Sequence, residues 1–175
     1  MRRWIPLFVF AALSFGACDD DSPGQYDGMY QMTVAQESDT CDGTGWVDIN
    51  LPYSYFQLHH ESFFGTPIIA FHDCTGETAD TCDDAIELVW TFMKEFCFWE
   101  QHMTSSSFQD PDICNVSQRR GLIEETETGI AITVTHKSGA VTVTSEDECE
   151  PELADTHEDE LTCTGQEYYE ATLLP

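Results

Sequence analysis

Short runs in which apolar and polar residues alternate are the feature that most constrains how this chain can fold. Clear alternation covers residues 30–35, 47–51 and 53–58, and strand-forming residues fill 67–72 and 161–174. Successive side chains of a strand point to opposite faces of its sheet, so a period of two indicates half-buried strands. We therefore predict an all-β domain, a single antiparallel meander that forms a small barrel or a sandwich.

The segment 129–144 is predicted to form a β-hairpin. Ile132 and Val134 lie on one face of its first strand, and Gly139 can supply the turn because glycine adopts a positive φ at little cost. Val141 and Val143 are then expected to return on the same buried face as Ile132 and Val134.

The segment 83–99 allows two interpretations. Its large apolar residues fit both helical and strand spacing, and periodicity alone does not decide short apolar runs. The density of Val, Trp, Phe and Thr favours strands that bend near residues 93–95. The alternative is an α+β fold with a helix near 83–99.

The first 17 residues have the composition of a secretory signal peptide. Arg2 and Arg3 precede an apolar stretch, which small residues follow. The stretch is shorter than the ~20 residues of a membrane-spanning helix.

The sequence 15–18, Phe-Gly-Ala-Cys, resembles the lipobox of bacterial lipoproteins. That resemblance implies acylation of Cys18, with palmitate for example, and a membrane anchor. Phe15 stands where Leu is usual, so ordinary cleavage after Gly16 is the alternative.

The domain boundaries follow from this assignment. We predict a signal peptide over 1–17, an acidic lipid-anchored tether over 18–29 and a single β domain over 30–175. Without residues 1–17 the chain has four basic residues against 33 acidic ones, because the signal peptide contains two arginines and no acid. A field of this sign repels nucleic acid, so we expect no nucleic-acid partner.

The cysteines are expected to form disulfides, because an exported chain meets an oxidising compartment. Seven cysteines remain once Cys18 is assigned to lipid. We therefore expect three bridges and one thiol left over, with a connectivity that the sequence does not decide. Short separations favour a Cys74–Cys82 pair and a Cys149–Cys163 pair across the acidic segment 146–160, predicted to be an exposed loop. Cys97 and Cys114 are the further disulfide candidates.

We find no arrangement of residues that predicts catalysis, a metal site or a cofactor. Nucleophile-elbow and phosphate-loop motifs are absent from the sequence. His59 and His60 are adjacent, so on a strand they point to opposite faces and do not share a metal ion. His136 is predicted at the rim of the barrel or sandwich.

An exported β meander with many aromatic residues is similar in architecture to lipocalin-type barrels, although the G-x-W motif of that family is absent. We predict a non-enzymatic envelope protein that acts by contact or structure, facing the periplasm or the cell surface. Its partners would be the membrane, through lipid, and an unidentified protein. The alternative is a lipocalin-like module that binds a small apolar ligand inside the barrel. Large inward aromatic residues favour a filled core.

Overall fold

A computed structural model describes residues 26–84, 88–93, 98–109 and 111–175. Within these ranges the chain forms nine strands: β1 Gly28–Ser38, β2 Val47–Asp48, β3 Tyr55–Phe63, β4 Thr66–Cys74, β5 Leu88–Met93, β6 Phe98–Gln109, β7 Ile113–Glu125, β8 Gly129–Thr142 and β9 Thr162–Leu173. One α-helix, α1 (Leu153–Thr156), lies in the connection between β8 and β9. Short 3₁₀ turns cover Ala79–Thr81, Glu146–Glu148 and Glu158–Glu160.

Eight of these strands form a closed antiparallel barrel. β1 pairs with β3, and each strand from β3 to β9 pairs with its neighbours along the chain. The first and last strands close the barrel, with Tyr30 opposite Leu173 and Ala35 opposite Tyr169. β2 pairs with the last part of β1 over two residues, where Gln36 lies opposite Asp48. The prediction of an all-β antiparallel meander is confirmed, and the architecture is a barrel.

Aromatic rings fill one half of the barrel. Phe56 stacks on Tyr30 at 5.3 Å between ring centroids and on Phe71 at 4.7 Å. Trp90, 1% exposed, lies beside Phe71 with 6.4 Å between centroids. These side chains face inward because the alternation of their strands places them on the concave face, where apolar area leaves water.

The predicted hairpin at 129–144 is wrong, because β8 is one strand of 14 residues. Gly139 lies opposite Val116 within the sheet and makes no turn. A Cβ at Gly139 would lie 2.9 Å from Cδ2 of Leu161. The absence of a side chain at Gly139 therefore allows Leu161 to pack closely on β8. In an unbroken strand, odd and even positions face opposite sides. Val141 therefore lies on the other face from Ile132.

A second, smaller core lies outside the barrel. Residues 143–161, which we call the strap, cross the outer face of β6, β7 and β8. Buried residues of the strap and of β7 form the cluster Cys114, Val116, Val143 and Ala154. Ser106 Oγ also donates to the carbonyl of Cys149 at 3.0 Å. The acidic segment 146–160 is therefore packed on the barrel by its apolar positions, while most of its carboxylates remain exposed.

Two further sequence predictions concern residues 83–99 and the point at which the packed domain begins. Residues 83–99 contain β5 and the start of β6, and their described part contains no helix, although 85–87 and 94–97 lie outside the described residues. Tyr26, assigned to the tether, is 7% exposed and belongs to the main core. The packed domain thus includes residues before Tyr30.

The described part of the chain contains three disulfides, two of which link distant segments. The pairs are Cys41–Cys163, Cys74–Cys82 and Cys114–Cys149. The local Cys74–Cys82 pair was favoured by the sequence, but the Cys149–Cys163 pair is wrong. Cys149 is carried by the strap to β7, whereas Cys163 on β9 lies beside the β1–β2 loop. Disulfides are typical of an oxidising compartment, so the protein belongs outside the cytoplasm.

The barrel register can be tested at two adjacent positions of β8. Val134 is 2% exposed on the inner face, and Thr133 is half-buried on the outer face. Val134→Asp would bury an unpaired carboxylate and should lower the free energy of unfolding by more than about 4 kcal/mol. Thr133→Asp should cost about 1 kcal/mol or less. Equal losses in urea denaturation of the two variants would contradict this register.

Candidate functional site

The inner face of the barrel divides into an apolar floor and a polar mouth. The floor lies at the end where β1 begins, and it contains the aromatic stack. Towards the other end of the barrel, inward positions become polar, with Gln101 on β6, Arg119 on β7, His136 on β8 and Glu167 on β9. The strand register brings them together, because Arg119 lies opposite His136 and Glu167 opposite Val134.

These side chains form one hydrogen-bonded cluster around the Glu167 carboxylate. Nε2 of His136 lies 2.8 Å from Oε1 of Glu167. The other carboxylate oxygen accepts from Tyr169 Oη at 2.7 Å and from Arg119 Nη2 at 3.3 Å. Arg119 also donates to Oε1 of Gln101. We call these five residues the mouth cluster.

The mouth cluster stabilises an ionised carboxylate that is largely shielded from water. Burial alone would raise the pKa of Glu167, but hydrogen bonds from Tyr169 and His136, with the positive charge of Arg119, lower it below its ordinary value. The pKa of Tyr169 is raised by burial and by donation to Glu167. Both shifts favour one protonation state at neutral pH, a Glu167 carboxylate that accepts from a neutral Tyr169.

Three cavities meet at the mouth cluster, and one of them, of about 270 Å³, lies between Arg119, His136 and residues of β6 such as Met103. An open cavity of about 590 Å³ lies at the mouth, lined by His136 and Glu167 below and by residues such as Glu37, Asp39 and Val47 at the rim. A small cavity of about 40 Å³ lies beneath the cluster, between it and the aromatic floor. The small cavity is close to the volume of one water molecule, and the mouth is within the range of ligand sites.

Trp90 lines the small cavity and carries an unused donor. Its Nε1 is buried and has no hydrogen-bond partner among the described residues. Arg119 and Gln101 line the same cavity. A buried donor without an acceptor costs about 1–3 kcal/mol, so this position favours a bound water or another small acceptor.

The basic residues on the outer face of the barrel form ion pairs with carboxylates of β6 and of the strap. Arg120 forms an ion pair with the buried Glu100 and a second one with Glu158 at 3.4 Å. Lys137 Nζ lies 3.0 Å from the same Glu158 oxygen. The hydrogen bond from Lys137 is the main cause that lowers the pKa of Glu158. Every Lys or Arg of the described chain thus has a carboxylate partner, and these three residues form no open basic patch.

The predicted site residues are dispersed over the molecule. Cys18 and Cys97 lie outside the described residues. His60 points inward, with its ring 5.9 Å from that of Trp99, and His59 is exposed on the opposite face. His136 lines the mouth, although the sequence analysis gave it no partners.

In the mouth cluster, the charged and polar side chains form hydrogen bonds with one another. Among the described residues, no hydroxyl or thiol group is hydrogen-bonded to His136, and the hydroxyls of Ser105 and Ser117 bond each other at 2.7 Å. The described part of the chain also contains no group of three side chains able to hold a metal ion. In residues 26–84, 88–93, 98–109 and 111–175, no helix has the length and apolar character needed to cross a membrane.

Sequence reasoning missed Gln101, Arg119, Glu167 and Tyr169. Glu167 lies 31 residues after His136 and 48 after Arg119, so no local motif connects them. The available signal was polar residues at the inward positions of otherwise apolar strands. That signal needs the strand register, which the sequence analysis lacked for β7.

Comparison with models of known protein families, with curated proteins and with solved structures finds no match. The class of protein is therefore described from its fold and its site alone. The protein is a disulfide-linked, eight-stranded antiparallel barrel with an aromatic floor and a polar mouth.

The lowered pKa of Glu167 predicts a contribution to acid stability. A carboxyl whose pKa is lower in the folded state stabilises the fold above its unfolded pKa, and this stabilisation is lost as pH falls through the folded pKa. Glu167→Gln should therefore lower the free energy of unfolding at pH 7 by about 1–3 kcal/mol. It should also flatten the loss of stability below about pH 4.5, an ordinary carboxyl value.

Glu124→Gln is the matched control for this prediction, since Glu124 is exposed on the outer face of β7. The control should change stability by less than about 0.5 kcal/mol at either pH. Chemical denaturation at pH 7 and pH 4 measures both variants. An unchanged acid dependence in Glu167→Gln would show that this carboxyl does not contribute.

Proposed function

We propose that this chain is an exported protein of the bacterial cell envelope, held at a membrane by lipid on Cys18, that acts by non-covalent contact through the mouth of its barrel. The observation that carries this proposal is the division of the barrel interior. A floor packed with rings supports an open polar mouth, so the surface offered to other molecules is the mouth.

The packed floor supports a contact role over transport of an apolar ligand. Cavities that enclose small molecules typically measure about 300–1,000 Å³. The interior cavity beneath the mouth cluster measures about 40 Å³. Ring contacts between Phe56 and Phe71 occupy the space that an apolar ligand would need.

The mouth favours a neutral or cationic partner. Its rim carries the exposed carboxylates of Glu37 and Asp39, and its base carries Glu167 with His136. The exposed side chain of Val47, 62% accessible, adds an apolar contact beside them. A nucleic acid does not fit this field, because its phosphates would meet carboxylates.

Two features support a non-enzymatic role. The polar groups at the base of the mouth satisfy one another, and Arg119 and His136 both bind the same carboxylate. A nucleophilic mechanism needs a hydroxyl or thiol within hydrogen-bond reach of its base. The mouth cluster acts instead as a rigid, charged base for a contact surface.

The lipid anchor is tested at Cys18. Cys18→Ser, expressed with its signal peptide in a bacterial host, should lose incorporation of labelled palmitate and should leave the membrane fraction. Phe15→Leu is the control, since it matches the usual lipobox more closely and should keep both properties. Wild-type protein without acyl mass at Cys18 would overturn the anchor.

The alternative function, binding of a small apolar ligand, is favoured by the unpaired Nε1 of Trp90 in a cavity partly lined by apolar residues. The contact role predicts no saturable binding of a fluorescent fatty acid by the purified protein. It also predicts that Trp90→Phe changes the free energy of unfolding by less than about 1 kcal/mol, because lost packing and a removed unsatisfied donor oppose each other. One-to-one binding that Trp90→Phe abolishes would establish the alternative instead.

A further inference from the structure

The β3–β4 hairpin ends in an exposed aromatic residue at a strained position. Phe63 pairs with Thr66, so Phe64 and Gly65 form a two-residue turn. Both have positive φ, 49° for Phe64 and 84° for Gly65. Gly, Asn and Asp are the usual residues at the first position of such a turn, and a bulky side chain there is strained. Phe64 is nevertheless 94% exposed.

This hairpin projects from the end of the barrel at which the chain enters. Gly28, the first residue of β1, lies opposite Leu58, and β3 continues for five residues to Phe63. At about 3.4 Å per residue, the hairpin extends roughly 15 Å beyond the start of β1. The point of entry is fixed, because Tyr26 is buried and its carbonyl accepts from Tyr30 Oη at 2.9 Å.

The length of chain before Tyr26 limits how the barrel can stand on a membrane. Seven residues lie between Cys18 and Tyr26, so the chain from Cys18 to Tyr26 spans less than about 30 Å when fully extended. Strands of 11–13 residues, tilted as in small barrels, give a barrel roughly 30 Å tall. A chain held at Cys18 therefore brings the Phe64 end to the bilayer, while the mouth lies at the far end.

We propose that Phe64 is a membrane contact: the β3–β4 hairpin inserts this side chain into the interface of the bilayer that holds the chain, and the mouth faces away from it. This inference rests on the proposed lipid anchor. The proposed contact explains why an aromatic residue occupies a turn position at which asparagine would cost less conformational free energy. Phe is among the apolar side chains that peripheral proteins bury at the boundary between lipid headgroups and acyl chains.

The charge around the hairpin selects the type of lipid surface. The end of β7 and the β7–β8 connection lie at the same end of the barrel, and they carry the exposed carboxylates Glu124, Glu125 and Glu127. These charges repel anionic headgroups and leave zwitterionic ones unaffected. The contact should therefore be strongest on phosphatidylcholine and weaker when anionic phosphatidylglycerol is added.

Orientation can be measured whether or not Cys18 is acylated. The mature chain would be held by an N-terminal hexahistidine tag on phosphatidylcholine vesicles that contain a nickel-chelating lipid. An environment-sensitive fluorescent amino acid replaces Phe64, or Val47 at the opposite end as control. Emission at position 64 should shift to the blue and be quenched by nitroxide on the lipid chains, and position 47 should keep its solution spectrum. A solution-like spectrum at 64, or equal responses, would overturn the proposal.

A second variant separates membrane contact from folding. Phe64→Asn should leave the melting temperature unchanged or raise it, because asparagine adopts positive φ more readily. The same change should accelerate dissociation from the vesicles roughly tenfold, since the loss of a buried aromatic side chain is of this order. Val47→Asn should not change dissociation. Unchanged dissociation of Phe64→Asn would contradict the contact, and absence of acyl mass on Cys18 would contradict the anchor alone.

Discussion

Pairing between β1 and β9 is the constraint on which the rest of the structure depends. It joins the first strand of the domain to the last, and the Cys41–Cys163 bridge links the loop after β1 to the start of β9. Closure pairs the first and last strands of the eight-stranded sheet with each other and creates an inside, where rings can pack without water. The strands that carry the mouth cluster, β6 to β9, pair with their neighbours along the chain, and closure places β1 on the other side of β9. Closure therefore seals the floor and adds the rim residues Glu37 and Asp39 to the mouth.

The mouth cluster illustrates how a small barrel accommodates charge. Arg119 and Glu167 sit below the rim, and both would be costly if either were left alone. Glu167 accepts hydrogen bonds from Tyr169, His136 and Arg119, which satisfy most of the available positions on its carboxylate. Such a network fixes side-chain orientation at the base of the mouth. A partner that enters the mouth would meet a preformed surface, which reduces the entropy lost on binding.

The sequence predicted the fold class because alternation is strong in β1, β3 and the first part of β8. It missed β7, since that strand has polar residues on both faces: Ser117 and Arg119 point into the mouth, while Gln118 and Arg120 meet the strap. The Cys149–Cys163 error has a similar origin, because short separation favours local closure and only the packing of the strap brings Cys149 to Cys114. Gly139 was assigned to a turn, whereas it makes room for Leu161. In each case, the deciding contact comes from a distant segment.

The two faces of β8 serve cores of unequal size. Among the described residues, the main core contains 13 buried side chains and the core beneath the strap contains four. Segments with less buried apolar area open at lower free energy than the rest of a domain. We therefore expect the strap to open at a lower free energy than the strands of the barrel. The Cys114–Cys149 bridge limits that opening to the residues on either side of it, so amide exchange in α1 would be faster than in β7 even though the two are in contact.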